Sequence, residues 1–99
     1  MPTLSYTFDA LLWRWAANAS WVFLTVPPDA SDEIDDVAGG SAGGFGSVKV
    51  AVRIGSTAWQ TSIFPSVAHG GYVLPVKKAV RIAQGVHVDD AVTVHLDVL

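Results

Sequence analysis

The 99-residue chain contains no cysteine, and that absence excludes disulfides, thiolate zinc sites and cysteine nucleophiles together. Charge is scarce as well, at 15% of residues against about 25% in an average globular protein. Histidine occurs three times, with no pair at ligand spacing and no carboxylate motif beside any of them, so no metal site and no cofactor is expected. Long apolar runs are missing too. The segment Ala10 to Val26 is interrupted by Arg14, Asn18 and Ser20, which is too polar and too short for a bilayer span. No basic residue precedes Asp9, contrary to the pattern of a secretory leader, and the expectation is a cytoplasmic protein without membrane contact.

Apolar side chains are abundant, at 51% of the chain, and a chain of this length forms one domain, residues 1–99, with a small core. So few charges leave apolar area on a monomer's surface, which points to a homodimer or larger assembly. The charges present are segregated. Residues 1–48 carry Arg14 against Asp9, Asp29, Asp32, Glu33, Asp35 and Asp36, a balance of −5, while the remaining residues sum to +2, giving the total of −3. An acidic half and a basic half can direct association between copies, although two solvated helix faces give the same pattern.

Period-2 alternation dominates the chain. Leu4, Tyr6 and Phe8 open a first strand expected over residues 4–16, Ala17 to Ser20 reads as a turn, and Trp21 to Val26 forms a strand ended by Pro27 and Pro28. A short helix follows, with Asp29 or Ser31 as cap and Ile34, Val37 and Ala38 as its apolar spacing. Gly39 to Gly46 is a glycine-rich connection. Val48 to Ile54 is the cleanest half-buried strand, and Gly55 to Thr57 turns it into a returning strand, Trp59 to Phe64, stopped by Pro65. Tyr72 to Leu74 ends at Pro75. The period then becomes helical, with Val76, Ala79, Val80 and Ala83 on one side and Lys77, Lys78, Arg81 and Gln84 on the other before Gly85. Ala91 to Leu99 is the last strand. The order amounts to two passes of one strand, strand, helix, strand unit, an internal pseudo-duplication. It predicts an all-β fold: a small closed or split six-stranded β-barrel with two short helices.

The run from Gly71 through Pro75 to Arg81, then Gly85 and a terminal Val-x-Val-x-Leu strand, resembles the C-terminal signature of the DUF1905 family, a bacterial and archaeal domain of unknown function. Trp21 to Pro27, the Val48 to Ile54 strand, and Trp59-Gln60-Thr61-Ser62 followed by Pro65 fall in that family's order, so the resemblance covers nearly the whole chain. It departs at Asp89-Asp90, where the family has Gly-Asp before the last strand. The family is similar in fold to the double-split β-barrel of AbrB, MazE and MraZ-like proteins. That likeness implies a fold, and it supplies one function to weigh, DNA binding as a dimer.

Six residues are candidates for a site. Lys77, Lys78 and Arg81 place three cations on one helix face, suited to a protein partner or a phosphate. Trp59 and Tyr72, with Trp13, Trp15 and Trp21, can line a pocket at a barrel mouth, although tryptophans in so small a domain more commonly supply core and subunit interface. His69, next to Gly70 and Gly71, stands in a loop where it can touch a ligand. Duplex DNA is a poor fit for six basic residues and a net charge of −3. Nucleophilic catalysis needs Ser62 or Ser66 near His69 with an orienting acid, and no elbow or oxyanion motif accompanies them. The reading is a non-catalytic binding or interaction module that self-associates, with an AbrB-like DNA-binding regulator and a ligand-binding or minor enzymatic role at a barrel-mouth pocket as alternatives.

Overall fold

The computed structural model describes residues 4–18, 20–38 and 46–99; the glycine-rich stretch 39–45 lies outside them. In chain order the elements are β1 (Ser5–Leu11), β2 (Trp13–Arg14), β3 (Val22–Thr25), α1 (Pro28–Ala38), β4 (Val48–Ile54), β5 (Thr57–Ser66), a 3-10 turn (Val67–His69), β6 (Gly71–Pro75), α2 (Lys78–Gln84) and β7 (Ala91–Val98). Seven strands make one antiparallel sheet in the order β1-β7-β4-β5-β6-β3-β2. The class is all-β, a curled sheet in half-barrel form with two short helices.

This differs from the closed six-stranded barrel expected. The first strand is broken at Leu12, which continues the inward set of Tyr6, Phe8 and Ala10 and is fully buried, while its backbone bonds pass from β7 to the turn before it. The Leu12 N–H donates to Asp90 O at 3.0 Å, and its carbonyl accepts from the Asp89 N–H at 2.8 Å. The two ends of the sheet order are therefore joined by the chain itself, with no ladder between β1 and β2. Asp89 takes φ 73°, in the left-handed region.

The second long strand does the opposite and runs on. Pro65 does not stop β5, whose last pair with β4 is Ile63 opposite Val48. Beyond it, Phe64, Pro65 and Ser66 pair only with β6. A strand laddered on one side can hold a proline, because the missing donor costs nothing on the open side.

The core is aliphatic. Leu12, Leu24, Ile34, Val50, Ile63, Leu74, Val94 and Leu96 are fully buried, and among the described residues Tyr72 is the one aromatic of the buried cluster. Burying each such side chain contributes roughly 1.5 to 3 kcal/mol. The tryptophans, expected as core bulk, are not there: Trp21 is exposed, and Trp13, Trp15 and Trp59 are half-buried. The interior of a small curled sheet suits branched aliphatics, and Trp13 pairs with Phe23 on the face opposite Leu12 and Leu24. There Trp13, Trp15, Phe23 and His69 stack, with the Trp13 and His69 ring centres 4.2 Å apart.

The strand pairings fall into two matching sets. The β4–β7 ladder is centred on Val52 opposite Leu96, and β3–β6 on Leu24 opposite Leu74. β1 lies on β7 as β5 lies on β4, and β2 lies on β3 as the end of β5 lies on β6. Even single bonds repeat: Val26 N–H donates to Tyr72 O, and Val76 N–H to Val22 O, both at 2.9 Å. Around each centre the chain leaves a short strand and enters a helix, α1 at Pro28 and α2 at Lys78.

Candidate functional site

α1 starts at two prolines because Pro28 sits at the first helical position, where a missing N–H is tolerated and φ is already suitable; the Pro27 carbonyl accepts the helix's first bond from the Ser31 N–H at 2.8 Å. Ser31, expected as a cap, is inside the helix and buried. Its hydroxyl donates to Val26 O and accepts from the Tyr72 N–H, both at 3.1 Å. Gly71 allows that approach, since an added Cβ would lie 2.6 Å from Ser31 Oγ. Three further contacts fasten α1. Ile34 is fully buried, Tyr6 donates its hydroxyl to Glu33, and Tyr72 donates to Asp35 at 3.3 Å. Burial, and then the Glu33 hydrogen bond and charge, push the Tyr6 phenol up to about 12; burial and the Asp35 carboxylate raise Tyr72 as well. Asp29, Asp32, Asp36 and Val37 remain exposed, so Val37 does not join the core as its spacing predicts.

α2 occupies the matching place and is held more lightly. Only Val80 of the helix is buried; Ala79 and Ala83, expected on the inner side, are exposed, as is Ile82. A seven-residue helix tilted on one anchor cannot bury a whole stripe. Gly85 closes it in the left-handed region at φ 63°, where glycine carries no Cβ penalty. Arg81 stands where Ser31 stands in α1, and its Nε donates to Val76 O at 3.2 Å as Ser31 does to Val26 O. Gln84 stands where Ile34 stands, and its amide donates to Thr57 and Ser56 hydroxyls at 2.7 and 3.2 Å.

The consequence is a groove where α2 meets β3 and β5, about 850 Å³ in volume. Trp21, Phe23, Trp59, Phe64, Pro75 and Val76 give it an apolar floor and walls, while Lys77, Lys78 and Arg81 stand along its helix side. The matching place beside α1, lined by Tyr6, Thr7, Phe8, Pro27, Asp29, Ala30 and Glu33, holds about 300 Å³. Two paired exchanges separate the two. Tyr6 and Glu33 bridge the first, where Trp59 and Ala83 cannot hydrogen bond across the second. Gly71 and Ser31 draw α1 onto β6, where Trp21 and Arg81 hold α2 off β3.

Of the six candidate residues, Lys77, Lys78, Arg81 and Trp59 come together in this groove. Tyr72 does not: it is buried and its hydroxyl is taken by Asp35. His69 is elsewhere too, exposed at the end of its 3-10 turn, stacked on Trp13 and hydrogen-bonded through Nδ1 to Ser66 Oγ at 2.8 Å. That serine and histidine belong to one local turn, and the ring's other contacts are with Trp13 and Trp15. Ser62 lies opposite Lys49. Trp21, Phe64 and Pro75 complete the groove; Trp21 is one of the aromatics weighed as pocket lining or as core and interface, and no periodicity brings positions 21, 64 and 75 together.

A second concavity, about 690 Å³, lies across β1, β7, β4 and β5. Ser5 is bonded across strands to Asp97 at 2.6 Å and Thr7 to His95 at 3.1 Å, while Arg53 donates to the Gly55 carbonyl two residues on at 3.0 Å. Among the described residues no cluster of metal-ligating side chains occurs, and no helix is long and apolar enough to cross a membrane.

Residues 8–96 match the family described as "Domain of unknown function (DUF1905)", and the chain belongs to that family. No curated protein matches it.

Proposed function

We propose that the chain is a non-catalytic recognition module whose site is the groove beside α2, and that the site takes an apolar group carrying negative charge. The observation that carries this reading is the juxtaposition of Trp21, Trp59, Phe64 and Pro75 with Lys77, Lys78 and Arg81 along one groove. Apolar walls supply affinity without direction, and a few charged groups at the margin orient the occupant. The volume lies within the usual span for ligand sites, about 300 to 1,000 Å³. Lys77 and Lys78 are exposed, so their attraction is screened and each is worth only about 0.2 to 1 kcal/mol.

The test uses two fluorescent probes that differ in charge, 1-anilinonaphthalene-8-sulfonate and its uncharged analogue N-phenyl-1-naphthylamine. Both bind the groove, with energy transfer from the tryptophans. K77E/K78E weakens sulfonate binding by about tenfold, the sum of two lost attractions and two new repulsions, and leaves the neutral probe within about twofold. Equal loss of both probes, or no binding by the folded monomer, sinks the reading.

A helix face with three cations also raises duplex DNA. The same groove argues against it, because its depth and aromatic lining serve an inserted group, whereas phosphate contacts need cations spread along a surface.

A further inference from the structure

The acidic charge that the groove accepts is present on the chain itself. On α1, Asp32 and Asp36 are exposed one turn apart, and Val37, next to Asp36, is 64% exposed, a large apolar side chain out of place on a solvated helix. The net charge of the two halves follows the same division, acidic around α1 and basic around α2. α1 and α2 occupy matching positions on the sheet, so the surface that offers acid and the surface that receives it lie on different parts of one molecule. Neither can reach the other within a chain.

We infer that the partner of the groove is the α1 face of a second copy: Val37 enters between Trp21, Trp59 and Phe64 while Asp32 and Asp36 meet Lys77 and Lys78. This rests on the groove being a site for an apolar, negatively charged group, and names that group. The contact is heterologous, one surface against a different one, so it closes when two copies exchange both contacts and otherwise continues from copy to copy. Because part of the attraction is between exposed charges, salt weakens the assembly.

Charge exchange tests this with the full chain. K77E/K78E makes both surfaces acidic, and D32K/D36K makes both basic; neither pair includes Arg81, Glu33 or Asp35, whose side chains hold the helices in place. By size exclusion with light scattering at low salt, the unmodified chain runs as a multiple of its 10.5 kDa mass. Each variant alone shifts to monomer, and an equimolar mixture of the two returns to the multiple, since the new basic helix fits the new acidic groove and the old pair is kept as well. Circular dichroism on each variant separates dissociation from unfolding. An unmodified chain that is monomeric, variants that assemble unmixed, or folded variants whose mixture stays monomeric each overturn the inference. Sulfonate binding by a monomeric unmodified chain would then leave the groove's chemistry standing and remove only its partner; absence of both removes both.

Discussion

The two helices sit at matching places on the sheet and are fastened by different chemistry. α1 is anchored by Ile34, by the Ser31 bridge between Val26 and Tyr72, and by phenol bonds to Glu33 and Asp35. α2 has Val80, one guanidinium bond to Val76 O and the Gln84 amide. A repeated backbone plan thus gives one place closed by side chains and another left open, about 300 against 850 Å³. Equivalent backbone positions do not specify a site. The side chains that fill or fail to fill the space between helix and strand do.

Substitutions at matching positions make the difference measurable. Ile34→Ala removes a fully buried side chain and should cost about 3 kcal/mol in urea unfolding, whereas Gln84→Ala, at the matching position of α2, loses hydrogen bonds near the surface and should cost about 1 kcal/mol. Equal costs would mean that the helices are held alike. Next in size is Gly71→Ala, whose new Cβ meets the buried Ser31 and forces α1 off β6 at about 2 kcal/mol. Its counterpart Trp21→Ala should change stability by less than about 0.5 kcal/mol while weakening binding of the neutral probe, because Trp21 is 54% exposed and lines the groove. A smaller effect separates the halves by pH. The Tyr6 phenol is raised from 10.0 to about 12, so the folded state holds that proton more tightly than the unfolded chain does. Its contribution is complete below pH 10 and is lost as pH rises toward 12. Tyr6→Phe should flatten the fall in stability across that window, and an unchanged slope would show that burial and the Glu33 contact do not raise the phenol on folding.

Much of the fold was legible because alternation is a direct consequence of strand geometry. Val48 to Ile54 and Ala91 to Val98 are strands with the expected faces inward, and both helices follow their prolines. What alternation could not show was where a strand changes partners. Leu12 leaves one ladder and Pro65 enters another, and both events depend on which neighbour is present on each side. The same limit applies to Ser31, which reads as a helix cap until Gly71, distant in sequence, places a peptide N–H against its hydroxyl. The groove's basic side was legible as a cluster, since Lys77, Lys78 and Arg81 share one turn and a half. Its apolar side was legible only in Trp21 and Trp59, two of five aromatics weighed as pocket lining, because Phe64 and Pro75 join them only through the β5–β6–β3 pairing. The change from Gly-Asp to Asp89-Asp90 put a left-handed residue there in doubt, yet Asp89 keeps that conformation at φ 73° without glycine.

The central claim is that side chains closing one place and not the other decide where recognition occurs. The double substitution W59Y/A83E carries the closing pair of α1, Tyr6 with Glu33, to the matching positions beside α2. Titrated with 1-anilinonaphthalene-8-sulfonate beside the unmodified chain, W59Y/A83E should fold with unchanged circular dichroism and lose sulfonate binding by at least about tenfold, the groove being bridged and its charge partly cancelled. A folded W59Y/A83E that binds the probe as the unmodified chain does would contradict the account.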